Sequence, residues 1–251
     1  MIAHPDHSVK TGIVLASASP RRRELITLLG LPVEITSAGI DEVPLPGERA
    51  EAMAQRLSRE KALTAARQFD RPHSAARILL ASDTVVSLDG EPLGKPRDTV
   101  EARSMLRRLR GRTHQVYTAI MLLGLQSTSA HCVAPGADAV GNGSSSAPNT
   151  ITDLASSDVP MRACTDMEIE AYIASGDPFD KAGAYAIQHS GFHPVANFQH
   201  CFANVMGLPL CHVVRALRQL DVEPPHDVPA LCQTHLCYDC PVFERILLSD
   251  E

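Results

Sequence analysis

The segment that most limits the fold is Gly12-Ile13-Val14-Leu15-Ala16 followed by Ser17-Ala18-Ser19-Pro20-Arg21-Arg22-Arg23-Glu24-Leu25. The first five residues are short, apolar and β-branched, as in a buried strand. Ser19 suits a helix N-cap and Pro20 the first helical position. Leu25, Leu28 and Leu29 recur at helical spacing, and Gly30 can close the helix. The expectation is a strand, a tight turn and a helix whose first turn carries arginines. Cations there oppose the helix dipole. They are sensible if the free N–H groups and guanidinium forks share an anion, most plausibly phosphate. The alternative is that some of them are solvated surface charges.

Further along, residues 32–36 read as a short strand, and Gly39-Ile40-Asp41-Glu42-Val43-Pro44 as an acidic turn. Ala50, Met53, Ala54 and Leu57 fall at i, i+3, i+4, i+7 and predict a helix over 47–68, with Lys61 on its polar face. Ile78-Leu79-Leu80-Ala81-Ser82-Asp83-Thr84-Val85-Val86 is a second buried-strand pattern that Asp83 interrupts. A carboxylate there is costly unless it is paired or holds a metal. It is read as a metal ligand or general base at the rim of a sheet, against the plainer reading of a backbone-bonded strand end. Asp89-Gly90 is a hairpin signal. Leu93-Gly94-Lys95-Pro96 offers a lysine that can meet phosphate as a point charge.

Asp98 with Glu101 marks a capping box, and Ala102, Met105, Leu106 and Leu109 give that helix its buried face. Residues 113–123 read as a long strand, with His114 as a structural hydrogen-bonder. Residues 124–158 are read as a flexible insertion or long hairpin tip, rich in Gly, Ser, Ala and Asn. Thr165 and Glu168 start another helix, and Gly176-Asp177-Pro178 ends it. Residues 180–188 mix Asp180, Lys181 and Gly183 with a short strand, and the plainer reading of the two charges is a surface ion pair. Leu210, Val213, Val214 and Leu217 share one face of what is read as the final core helix. Residues 222–251 look different: Pro224-Pro225 and Pro229 are linker-like, and Cys232, His235, Cys237 and Cys240 are crowded into a candidate zinc set.

A chain of 251 residues can bury a full core. With a net charge of −6 and 4% aromatics, it is a poor match for a nucleic-acid polymer, so a phosphate site needs a local basic cluster. No apolar run is long enough for a bilayer, and the first ten residues have no h-region, so no membrane span and no secretory signal are expected. Seven scattered cysteines fit a reducing cytoplasm.

Taken together and in order, these motifs resemble the Maf family of nucleoside triphosphate pyrophosphatases. The matching segments are residues 15–25, Ile40-Asp41-Glu42, Arg59-Glu60-Lys61-Ala62, Ser82-Asp83-Thr84-Val85-Val86, Leu93-Gly94-Lys95-Pro96, Gly111-Arg112-Thr113-His114-Gln115-Val116, Asp180-Lys181-Ala182-Gly183-Ala184-Tyr185 and residues 204–210. The resemblance covers roughly residues 12–220 and places a domain over 11–221, with 222–251 outside the family pattern. The double arginine after Ser-Pro is similar to the branch acting on dTTP and UTP; a related branch takes 7-methyl-GTP. The resemblance implies an α/β fold with an elongated mixed central sheet, flanking helices and two lobes around a nucleotide-binding cleft. It implies magnesium or manganese, a homodimer, and release of pyrophosphate from the nucleoside triphosphate to leave the monophosphate. Members are linked to removal of unwanted nucleotides and to inhibition of septum formation.

On this reading Ser19, Arg21 and Arg22 bind the triphosphate, with Thr84, Lys181 and Gln188 as further substrate contacts. Lys61 and Lys95 neutralise charge that builds up in the transition state. Glu42 and Asp83 hold the cation, and Asp83 also orients or deprotonates water. Two departures bear on the base: His189 stands where the family usually has Gly, and residues 198–203 lack the usual Gly-Ser before Asn204. The competing reading is a non-catalytic nucleotide-sensing or septum-regulating protein on the same fold.

Overall fold

The computed structural model describes residues 11–68, 77–125 and 150–249. A mixed six-stranded sheet lies at its centre, in the order β2-β1-β3-β5-β6 with β4 added to β3. The strands are β1 (Gly12–Ala16), β2 (Val33–Thr36), β3 (Arg77–Leu88), β4 (Glu91–Leu93), β5 (Thr113–Leu125) and β6 (Thr150–Pro160). β1 runs parallel to both neighbours and is buried from Ile13 to Ala16, which explains its unbroken apolar run. β3, β5 and β6 are successive antiparallel neighbours. Asp89 and Gly90 both take positive φ and close the predicted β3–β4 hairpin.

The decisive feature is a length mismatch. β1 pairs with β3 only over Arg77–Leu80, and β3 then continues to Leu88 along β5. Past the end of β1, residues 82–84 therefore have β5 on one side and an opening on the other. Strand alternation assigns their side chains. Leu79, Ala81 and Val85 face helix α2 (Ala50–Gln68), packing with Ala54, Leu57, Ala62 and Ala65, so Asp83 faces α2 as well. Ile78, Leu80 and Val86 face the opposite layer, which holds α1 (Pro20–Ile26), α3 (Thr99–Leu109), α4 (Asp166–Ala174), the short α5 (Phe202–Val205) and α6 (Leu210–Arg218); Ser82 and Thr84 therefore point that way.

Capping follows the sequence closely at α4, where Thr165 and Glu168 exchange both bonds of a capping box. At α3, Asp98 caps Glu101 N–H, but the Glu101 carboxylate turns to the Arg97 N–H and guanidinium instead.

Three expectations are corrected. The insertion read over 124–158 is too long, because residues 150–158 belong to β6. Ala155, Ser157 and Val159 are its buried alternate positions, and the small residues that resembled a low-complexity linker fit under α5 and α6. Residues 124 and 125 end β5, and residues 126–149 lie outside the described residues. The short strand expected within 180–188 gives way to a pair of 3-10 turns over Asp177–Asp180 and Ala182–Ala184, with Gly183 at φ 70° inside the second. The third correction is the end of the chain, where α6 is not the final helix. Residues Val228–Leu236 and Phe243–Leu248 form α7 and α8. Cys232, Leu236, Val242, Ile246 and Leu247 pack on the main core, and Arg215 joins β6 to α8 through Asp153 at 2.6 Å and Ser249 Oγ at 2.7 Å. Among the described residues no helix is long and apolar enough to cross a membrane.

Candidate active site

The opening beyond β1 is bounded by the first turn of α1, Lys61 on α2, the exposed length of β3 and the loop carrying Lys95. It is the carboxyl edge of β1, where the chain turns into α1 while the neighbouring strand runs on; open α/β sheets form ligand crevices at such edges. Two adjoining cavities of about 140 and 450 Å³ share Ser19, Arg21, Arg22, Glu42, Lys61, Lys95, Asp180 and Lys181 as walls. Asp83 and Thr84 line the smaller one, and Gln188 lines the larger. All ten residues singled out from the sequence thus meet in one cleft.

At its centre Lys61 Nζ lies 2.6 Å from Glu42 Oε1 and 2.5 Å from Asp83 Oδ1. Lys95 reaches the other Glu42 oxygen at 3.2 Å from the solvent side. Burial dominates at Asp83 and raises its carboxyl above the ordinary aspartate value, although Lys61 and Arg22 oppose the shift. Burial also raises Glu42, but there the bonds and charges of Lys61 and Lys95 outweigh it, and the net direction is downward. Adjacent carboxylates are thereby pushed in opposite directions, as in sites that perform acid–base chemistry.

Arg22 is not free to act as a simple phosphate clamp. Its Nε donates to Gly207 O at 2.8 Å, one terminal nitrogen to Ser82 O at 2.8 Å and the other to Thr84 Oγ1 at 2.9 Å. Thr84 Oγ1 also bonds Thr118 Oγ1, and Ser82 Oγ donates to Gly207 O. Arg22 is therefore a strut between α1, β3 and the turn after α5. Gly207 makes this fit possible: at φ 102°, a Cβ there would stand 3.0 Å from Arg22 Nε and 3.1 Å from Thr84 Oγ1.

Arg21, by contrast, has no hydrogen bond or ion pair among the described residues and lines both cavities. Ser19 occupies the N-cap position, but its side chain caps nothing. Its own N–H donates to Ser17 Oγ at 3.2 Å, leaving the Ser19 hydroxyl at the cleft wall. These two groups and the uncapped start of α1 are thus left without internal side-chain partners at the cleft wall.

Lys181 is buried rather than a surface charge. Its ammonium donates to Asp177 O, Asp177 Oδ1 and Asp180 Oδ1 at 2.7, 3.0 and 2.6 Å, and the surface ion pair read from the sequence is corrected accordingly. Asp180 itself lines both cavities and was not singled out as a site residue. Its sequence signals are its place beside Lys181 and at the head of the matching segment 180–185. His114 is the structural bonder expected: buried, with Nε2 2.7 Å from Tyr185 Oη. Asn204 is likewise internal, donating to Val116 O and Ser157 Oγ.

The two departures from the family pattern lead elsewhere. His189 packs edge-on against Tyr172 and accepts the Phe192 N–H, and it lines neither cavity of the cleft. Residues 198–202 meet the end of the chain: Tyr238 Oη donates to Phe198 O and His200 O at 3.0 and 3.1 Å, and its ring lies 5.4 Å from that of Phe202.

A cation is implied by the resemblance. Among the described residues no group of three or more His, Cys, Asp or Glu side chains could hold a metal. The Glu42 and Asp83 pair still fits the donor chemistry of magnesium or manganese. Both are hard oxygen donors that converge on one positive charge, and such ions are commonly bound by one or two carboxylates plus substrate phosphate. The zinc set expected in the last thirty residues is corrected. His235 pairs with Glu24 at 3.1 Å and Cys237 Sγ turns to Thr234 O, which leaves only Cys232 and Cys240 of the four facing one cavity.

Residues 12–220 match the family model described as Maf-like protein. The chain is 42% identical over 216 residues to a dTTP/UTP pyrophosphatase of Myxococcus xanthus, covering 86% of this chain and 96% of that one. It is 42% identical over 215 residues to the dTTP/UTP pyrophosphatase of Chromobacterium violaceum, covering 86% and 98%. With that of Methylococcus capsulatus it shares 43% over 208 residues, covering 83% and 90%.

Proposed function

This chain belongs to the Maf family, and from that premise we propose that it hydrolyses nucleoside triphosphates, of the dTTP and UTP kind, to the monophosphate and pyrophosphate. The observation that carries this reading is the convergence of Asp83, Glu42 and Lys61 at the floor of a cleft whose walls hold Arg21, Lys95 and the uncapped start of α1.

The roles follow from what each group has left to offer. Ser19, the first N–H groups of α1 and Arg21 bind the phosphates, since none of their side-chain donors is taken internally. Arg22 and Thr84 hold the cleft floor in shape. Lys95, half exposed, neutralises negative charge on the phosphate chain, and Lys61 does so from below. Asp83, raised by burial, accepts a proton from the attacking water and orients it in line with the α-phosphorus; pyrophosphate leaves. Glu42 and Asp83 would hold magnesium or manganese, which when bound supplies Lewis-acid polarisation of phosphate oxygens. Gln188, at the rim of the larger cavity, lies on the side left for the nucleoside. Lys181 positions Asp177 and Asp180. A homodimer in the cytoplasm is part of this proposal, carried over from the resemblance.

The test is pyrophosphate release from a panel of nucleoside triphosphates, with magnesium or manganese and again with chelator. Metal-dependent conversion of UTP or dTTP to the monophosphate is expected. Preference for 7-methyl-GTP would overturn the base assignment and keep the chemistry. No turnover by folded protein would overturn the enzymatic reading.

A further inference from the structure

The last thirty residues carry a feature that hydrolysis does not use. Four cysteines, Cys201 and Cys211 from the main body and Cys232 and Cys240 from the terminal segment, line one small apolar cavity. Cys201 and Cys240 both face this cavity, and each perturbs the other's acidity. Their approach is built in from both sides. Tyr238, two residues before Cys240, bonds the carbonyls of Phe198 and His200, just ahead of Cys201. The Cys240 N–H donates to Gln233 Oε1 at 2.9 Å, which ties it back to α7. Cys201 Sγ in turn accepts the Asn204 N–H at the start of α5. That helix leads to Gly207, whose carbonyl anchors Arg22.

We propose that Cys201 and Cys240 are a thiol oxidation site, and that a small hydroperoxide converts them to a disulfide that staples the terminal helices to the segment supporting the cleft floor. The Cys240 thiolate attacks the peroxide, the O–O bond breaks, and Cys240 becomes a sulfenic acid as water or alcohol leaves. The Cys201 thiol then attacks that sulfur. The S–O bond breaks, water leaves with the Cys201 proton, and the S–S bond forms. Two electrons pass from the two sulfurs to the peroxide, and a dithiol reductant reverses the change.

The neighbourhood supports the order of attack. The Cys201 thiol and the N–H groups of Val242 and Phe243 hold Cys240 below the ordinary cysteine value, against the opposing effect of burial. The hydrogen bond to Cys240, followed by burial, pushes Cys201 up. Burial pushes Cys211 to about 12 and Cys232 to about 11, so those two remain thiols. Cys240 is partly exposed, within reach of a small oxidant.

The experiment treats the full reduced chain with hydrogen peroxide at neutral pH, then combines thiol counting with non-reducing peptide mapping. The same is done on Cys240→Ser and, as a control on the exposed thiol, Cys237→Ser. Wild type should lose two of its seven thiols and Cys237→Ser two of the remaining six; each should become two hydrogens lighter and yield one linked peptide pair joining Cys201 to Cys240. The midpoint of denaturant unfolding should rise in the oxidised form. Cys240→Ser should show neither the link nor the rise. A link between Cys211 and Cys232, retention of the two-thiol loss in Cys240→Ser, or oxygen addition at Cys240 without a link would each overturn the proposal.

Discussion

Replacing Arg22 with alanine separates two roles that look alike in the sequence. As a strut, Arg22 makes three charge-assisted hydrogen bonds, to Gly207 O, Ser82 O and Thr84 Oγ1. Bonds from a charged donor contribute roughly 1.5–3 kcal/mol each, so losing all three outright would cost about 4–9 kcal/mol. Two of the three acceptors keep a second partner, however: Ser82 Oγ for Gly207 O, and Thr118 for Thr84. The adjoining cavity also admits water to the space that is vacated. The expected loss is therefore about 3 kcal/mol, most of it from the Ser82 carbonyl and from the untied turn after α5. Urea unfolding at neutral pH would show a lower midpoint with an unchanged slope. Arg21→Ala is the companion measurement. Having no internal bond to lose, it should change stability by less than about 0.5 kcal/mol and raise KM for the triphosphate about tenfold or more. If Arg22→Ala left stability within about 0.5 kcal/mol of wild type while raising KM, Arg22 would be a ligand to phosphate and the strut reasoning would be refuted.

Other expectations concern protons. Asp83→Asn should reduce turnover by three orders of magnitude or so and leave the circular dichroism spectrum intact; a near-normal rate would remove Asp83 from the chemistry. Burial holds His114 and His212 down to about 4, from an ordinary 6.5. The unfolded chain takes up these protons near the ordinary value, and the folded one only near the depressed value. Stability should therefore fall as pH drops through that window, by up to roughly 3 kcal/mol per histidine. Unfolding midpoints of wild type and His114→Gln at pH values above and below the window test this, and an equal drop in both would exclude His114 as a contributor.

Much of the site was legible because it is local. The strand–turn–helix of residues 12–30, the Asp89-Gly90 hairpin and the Thr165–Glu168 capping box are all encoded within a few residues of themselves. Asp83 stood out because a carboxylate in an apolar run needs a partner, and the partner is Lys61. The sequence was less informative where the meaning of a residue depends on what lies opposite it. Ala155 and Ser157 looked like linker composition, yet they pack under helices from later in the chain. Arg21 and Arg22 are indistinguishable as letters. The turn of α1 points one into the cleft without a partner and drives the other toward a carbonyl 185 residues away. Lys181 could be read as half of a surface ion pair or as a substrate contact; the 3-10 turn at Asp177 instead wraps two carboxylates around it.

The sequence by itself determined the family, through its motifs in order, and with it ten of the side chains that line the cleft; it determined the α/β class because strand alternation, helix spacing and capping are set by neighbours along the chain. Tertiary structure alone decided which cations remain free for a ligand, which carboxylate is raised and which lowered, and where the last thirty residues attach. These depend on burial and on hydrogen-bond partners that meet only when β1 stops short and β3 runs on past it.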